Sequence, residues 1–287
     1  MARLQAVPHN PVGRLTTDHP GIVKFGRAGW FAKGVVYLVA GVLALVMAGK
    51  AAGWSSAATA PNKEASPTGA LKAIAEMSGG ALLMWLLAAG MLLYAMWRVA
   101  SALLPGGSDA MGWITRVGYL VSAVIYTTLA VTAISLARSG RAGSNDNSKV
   151  TSISGRLMTH SGGRIVVGVA GVICIAAGLY HLLKGARNDV TEELDLSSLS
   201  TQRRRWTERL GAIGEIGRGL GIGLIGFFLV RSAFTYDAAE ATGLDGALRR
   251  LATDTWGLVV VIVIGIGFAA YGFFCLATFS HRELQAP

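Results

Sequence analysis

Six long apolar runs constrain this chain more than anything else in it: Gly29–Gly49, Ala81–Leu104, Val117–Ala137, Ile165–Leu183, Ile213–Phe234 and Trp256–Phe279. A helix that crosses a bilayer needs roughly 20 mostly apolar residues, and each run meets or approaches that length. The stretches 34–49, 81–97, 117–137, 165–180, 219–230 and 257–274 hold no Asp, Glu, Lys, Arg or His. A large soluble enzyme can bury one or two such helices. Six, separated by polar loops, require lipid. Only 15% of the residues are charged, against about 25% in average soluble domains.

The first 28 residues carry Pro8, Pro11 and Pro20 with scattered charges in place of a compact apolar core. No cleavable signal peptide is expected, and the first span is read as its own insertion signal. The two cysteines, Cys174 and Cys275, sit inside apolar runs without metal-like spacing, which fits buried thiols behaving as small hydrophobes. A net charge of +10 raises the question of nucleic acid, but the basic residues cluster at the ends of the runs. Of 26 Lys and Arg, 15 fall in the two tails and the even-numbered loops and 11 in the odd-numbered loops. The positive-inside rule then places both termini in the cytoplasm.

The chain repeats itself. GALKAIAEMSGGALLMWLLAAGMLLYAMWR (69–98) aligns without a gap on SISGRLMTHSGGRIVVGVAGVICIAAGLYH (152–181) and GALRRLATDTWGLVVVIVIGIGFAAYGFFC (246–275). The spans before these blocks also correspond, RAGWFAKGVVY (27–37) with RVGYLVSAVIY (116–126) and, more distantly, EIGRGLGIGLI (215–225). Each unit reads as an anchor, a span, a loop carrying a short amphipathic helix, and a returning span. An even number of spans per unit gives all copies one orientation, related by an axis along the membrane normal. The expected fold is an all-α integral membrane protein, six transmembrane helices arranged as three repeated two-helix hairpins with pseudo-threefold packing. The divisions are a tail at 1–24, repeats at 25–104 and 105–187, a cytoplasmic linker at 188–210, a third repeat at 211–280 and a tail at 281–287. Within the linker, Thr201 can cap a helix bearing Trp206 and several arginines. Such a segment suits the anionic inner leaflet or a solvated linker.

These features resemble the three-repeat bacterial membrane family catalogued as domain of unknown function 1206. In that family the first helix of each unit opens with Gly-Arg-x-Gly-aromatic, seen as GRAGW (26–30) and less closely as TRVGY (115–119). The second runs from Gly-Arg to a Tyr-Gly-x-aromatic-Arg ending, parts of which stand in GGR (162–164), YAMWR (94–98) and YGFFC (271–275). The resemblance covers roughly residues 25–280. It implies the six-helix fold and imports no activity. Glu215 replaces the first arginine of the pattern, and His181 and Cys275 replace the terminal one.

His181 shares the register of Arg98 and lies 18 residues beyond Gly163, about 27 Å along a helix. In a hydrocarbon core of roughly 30 Å, that depth is the inner rim. His9, His19, His160 and His281 offer no partner of similar depth, so His181 reads as an anchor or packing residue and not as a haem or metal ligand. The GIGLIG run (221–226) lacks the preceding strand of a dinucleotide fingerprint, and small residues at helical spacing serve helix contact instead. The fifth-loop acids Asp237, Glu240, Asp245 and Asp254 are expected to be solvated loop charges.

The remaining charges form an inner-face band of Arg27, Lys33, Arg98, Arg116, Glu215 and Arg218. Two uses fit it. The cations snorkel to the rim, or Glu215 offsets one arginine and Arg27, Lys33, Arg98, Arg116 and Arg218 hold an anionic lipid headgroup. No catalytic, metal or cofactor constellation emerges from the spacing. The expectation is a non-catalytic accessory or scaffolding subunit that packs against a larger membrane complex or lipid, with no cofactor and no nucleic-acid partner. A channel or carrier for a small solute, using the hydroxyls Ser122, Thr127, Thr128, Thr132 and Ser135, is one alternative. A quinone- or haem-associated redox partner is the other.

Overall fold

The structure is a computed structural model, and it describes residues 20–54, 63–103, 110–139, 146–160, 162–190 and 200–279. His9, His19 and His281 in the tails lie outside the described residues, as do the linker residues 191–199. Among the described residues nine α-helices fall into three like sets. These are α1 (Pro20–Ala51), α2 (Pro67–Ala75) and α3 (Gly80–Leu103); α4 (Ala110–Ser139), α5 (Asp146–Met158) and α6 (Gly163–Arg187); α7 (Thr201–Thr235), α8 (Leu244–Leu251) and α9 (Thr255–Thr278). The first and third helix of every set are long and apolar enough to cross a membrane. Six spans put residues 20 and 279 on one side, the terminal side, and the short helices α2, α5 and α8 on the other, the loop side.

Local chemistry sets the helix starts. Ser66 Oγ accepts the Gly69 N–H at 3.0 Å ahead of Pro67, and Asp254 Oδ1 accepts the Gly257 N–H at 2.8 Å. Both satisfy a donor that the first turn leaves open. Gly79 and Gly162, equivalent in the repeat, take φ of 78° and 85°, a left-handed turn that glycine enters at little cost. α7 begins on Ser200, whose hydroxyl faces the Arg203 N–H at 3.5 Å, with Thr201 as the first helical residue. From there α7 runs unbroken for 35 residues, about 52 Å. The arginine-rich segment therefore continues the fifth span and stands out from the terminal side. It does not lie flat as a separate amphipathic helix, because nothing between Arg209 and Ile213 breaks helical geometry.

The tight packing lies between repeats more than within them. α6 and α7 meet along a glycine stripe with a seven-residue period. A Cβ on Gly178 would lie 2.7 Å from the Gly219 carbonyl, one on Gly171 2.9 Å from that of Gly226, and one on Gly185 2.7 Å from that of Ala212. α1 and α9 meet in the same way, Gly41 against Ala269 and Gly272 against Leu38. α3 packs on α4, where Tyr94 and Tyr126 stand edge to face at 4.6 Å. Small residues let backbones approach this closely where lipid supplies no hydrophobic drive for association. Three repeats in a row would leave α1 and α9 at opposite ends. Their contact closes the row into a ring. Within units, α1 packs on α3 and α7 on α9, but α4 and α6 make no extended contact among the described residues. One seam of the ring stays open, and α6 is buried only along its glycine face, with Ile165, Val169, Ile173 and Tyr180 exposed.

On the loop side the three units are pinned to one another through Asp245. Its Oδ1 accepts the Ala65 N–H of the first unit at 2.8 Å, and its Oδ2 accepts the Asn147 side-chain N–H of the second at 3.4 Å and the Arg249 Nε–H at 2.8 Å. Asn147 Oδ1 in turn accepts the Gly246 N–H at 3.0 Å. Asp245 is thus a buried crosslink, and the expectation of a solvated charge is corrected. Glu240 bonds Arg250 and Arg231, and Asp237 caps the short 3-10 turn Ala238–Glu240. Solvation gives way to pairing because the loop is folded back onto the ends of the spans.

Candidate functional site

On the terminal side the spans bring their polar groups to one centre. Lys33 faces inward from α1 and is 4% exposed. Its Nζ lies 4.7 Å from the ring centre of Trp30, 5.0 Å from Tyr271, 5.5 Å from Tyr94, 5.7 Å from Tyr126 and 5.9 Å from Tyr37. Five rings from α1, α3, α4 and α9 thus enclose one ammonium. No carboxylate comes within ion-pair distance of it among the described residues. Ring faces carry negative quadrupole density, and a desolvated cation gains about 2 kcal/mol or more over a good one. The cage replaces a counterion with aromatic faces, and in doing so ties four helices together.

The other two spans supply the neighbouring network. Arg218 on α7 donates from Nη1 to Glu215 Oε1 at 3.0 Å, and its guanidinium lies over Tyr271 at 4.4 Å and Tyr37 at 5.7 Å. His181 on α6 places Nδ1 2.6 Å from Glu215 Oε2. Glu215 is buried with both oxygens engaged, so His181 holds α6 to α7 at the terminal end of their glycine stripe. A buried pair of this kind is costly to break, because removing one partner strands the other charge. Trp30 closes the centre from below by donating Nε1–H to Thr278 Oγ1 at 3.0 Å.

The band read from the sequence therefore divides. Lys33, Glu215 and Arg218 come together inside the protein. Arg98 stands at the edge of the centre, donating to the Tyr94 hydroxyl from Nε at 2.9 Å and Nη2 at 2.6 Å, with Tyr119 under its guanidinium. Arg27 is half-buried in the first turns of α1, and Arg116 lies 5.3 Å from the Trp113 ring centre at the start of α4. The aromatic cage itself escaped the sequence reading. Its signal was present in the repeat, since Tyr37 and Tyr126 occupy equivalent places in first spans and Tyr94 and Tyr271 in second spans.

Two concavities open toward the loop side. One, of about 380 Å³, sets Lys50, Lys63 and Arg249 over Leu43, Val46 and Met47. Its Lys63 pairs with Glu76 at 2.6 Å and its Arg249 with Asp245. The other, of about 320 Å³, follows α4 along Thr127, Thr128, Val131, Thr132 and Ser135 and ends at Lys149 of α5.

Comparison with known proteins adds kinship. Segments 28–104, 117–188 and 213–278 each match Domain of Unknown Function (DUF1206). The chain is also 29% identical over 261 residues to the uncharacterised protein YxxB of Bacillus subtilis (strain 168), covering 90% of each chain. No solved structure matches.

Proposed function

The chain belongs to the DUF1206 family, and from that premise we propose that this multi-pass membrane protein is a non-catalytic accessory or scaffolding subunit of a larger membrane assembly in a bacterial plasma membrane, with both termini cytoplasmic. One observation carries the reading. Among the described spans α6 packs extensively on α7 alone, through its glycine stripe and the His181–Glu215 bond, and the rest of its length offers an exposed apolar face. Ile173 lies two residues from Gly171, about 200° round the helix, and so marks the middle of that face. The ionisable groups of the terminal-side centre support the same reading, since each of Lys33, Arg218, Glu215 and His181 is spent on holding helices to one another. Close helix contact at α1–α9 and α6–α7 leaves little room for a path between those pairs, which sets the carrier alternative lower. Anionic headgroups of the terminal-side leaflet are the expected neighbours of Arg27, Arg116 and the exposed arginines Arg203, Arg204 and Arg205.

The test is a photo-crosslinking residue placed at Ile173 in native membranes, with Val263 on α9 as comparison. The expected result is one discrete protein adduct at Ile173, and co-purification of the same protein in mild detergent. Recovery of the chain alone, at full yield and with lipid adducts only at both positions, overturns the proposal.

A further inference from the structure

The groove along α4 has a polar wall that nothing in the terminal-side centre uses. Thr128, Thr132 and Ser135 are spaced four and three residues apart, so they share one face of α4. The Thr128 hydroxyl donates to the Val124 carbonyl at 2.9 Å and the Thr132 hydroxyl to the Thr128 carbonyl at 2.9 Å. Their donors are satisfied within the helix, so the groove tolerates an apolar chain along its length. Ser135 stands about 6 Å and Thr128 about 16 Å below the loop-side end of α4 at Ser139. The groove therefore spans the depth of one leaflet and goes no further.

Its upper end has a different chemistry. Lys149 projects from α5, half-buried, and lines the groove. No carboxylate pairs with it among the described residues. This sets it apart from Lys63 and Arg249 in the neighbouring concavity, both of which are neutralised. A cation over the mouth of a leaflet-deep, hydroxyl-lined slot complements a molecule with a negative head and an apolar tail. Lys149 is the one residue outside α4 among those lining the groove, and it marks where a charged head would sit.

We propose that the α4 groove binds one anionic phospholipid of the loop-side leaflet, its phosphate on Lys149, its glycerol level with Ser135 and an acyl chain against Thr132, Val131 and Thr128. The site is separate from the exposed α6 face, and the two readings stand or fall apart. The lipid lies along α4, and the outer face of α6 remains available to a protein.

The test uses the full chain in mild detergent, delipidated and titrated with phosphatidylglycerol, with phosphatidylcholine, or with inorganic phosphate, and read by native mass spectrometry. One phosphatidylglycerol per chain is expected to persist at concentrations where phosphatidylcholine is lost. Lys149→Gln should weaken that binding about fivefold, the scale of one basic side chain at an anionic surface. Lys149→Arg should restore it, and Arg138→Gln, at the same rim of α4, should leave it unchanged. Equal retention of both lipids, or indifference to Lys149, overturns the proposal. Binding of inorganic phosphate with the same Lys149 dependence overturns the lipid assignment in favour of a free anion. Folding of each variant is checked by its elution as the same monodisperse species. A photo-crosslinker at Thr128 reads the occupant independently of Ile173, and a protein adduct there instead of lipid also overturns it.

Discussion

Replacing Gly178 by alanine tests whether close backbone approach holds α6 in place. The added Cβ would lie 2.7 Å from the Gly219 carbonyl, 2.8 Å from the Gly223 amide nitrogen and 2.9 Å from its Cα. All three are backbone atoms with no rotamer to change. Ordinary contact begins near 3.4 Å, so the helices must part by about 0.7 Å at the centre of a contact only three glycines long on the α6 side. Overpacking of this kind costs about 1–3 kcal/mol, and no second span packs extensively on α6 to share the strain. Gly223→Ala is the matched comparison, one turn from Gly219, where an added Cβ meets nothing within 4 Å. There the better helix propensity of alanine, at most about 1 kcal/mol, is the only term. Thermal unfolding of the two variants in one detergent, followed by loss of the monodisperse elution peak, should separate them by several degrees, on a scale of about 2–4 °C per kcal/mol. Equal transitions for the two variants would refute the reasoning, and so would a lower one for Gly223→Ala.

Three further outcomes follow from the ionisable groups. Lys33→Ala should lower the thermal transition well below that of Lys33→Met, because methionine fills the ring cage and alanine leaves a cavity of the kind that costs about 2–5 kcal/mol; equal transitions would show that volume is not what the cage needs. Glu215→Gln should destabilise by about 3–5 kcal/mol, since Arg218 and His181 lose a common buried partner, and the double variant Glu215→Gln, Arg218→Met should recover part of that loss in the same assay. Asp245→Ala should leave the Ala65 N–H without an acceptor, a cost of about 1–3 kcal/mol, and should speed proteolysis in the loop-side segment before α2 while leaving the spans intact. Unchanged cleavage there would mean that Asp245 does not pin the units.

The spans and the repeat were legible because bilayer depth fixes run length and a copied unit repeats its landmarks. Gly80, Gly163 and Gly257 each open a returning span, as their alignment implied. Neighbour choice was less legible. Nothing in the order of the runs tells α6 to pack on α7 instead of on α4. The seven-residue glycine period of Gly171, Gly178 and Gly185 does, but only when matched with Ala212, Gly219 and Gly226 in the following span. Lys33 was read as a rim charge because its depth, six residues past Arg27, allows snorkelling. Three aromatic side chains on neighbouring helices, Tyr94, Tyr126 and Tyr271, decide otherwise, and their direction is a tertiary property. Asp245 was misread for the same reason, since its partners Ala65 and Asn147 lie in the other two units.

The packing of α1 against α9 carries a consequence for biogenesis. The helix made first receives its main neighbour last, after some 200 further residues have been translated. Until Tyr271 arrives, the ammonium of Lys33 has an incomplete shelter, and a nascent chain released early would expose it to lipid. The contact that completes the Lys33 cage can therefore form only after the sixth span is made, and a chain stopped before that span should yield a product that the cell's quality control removes.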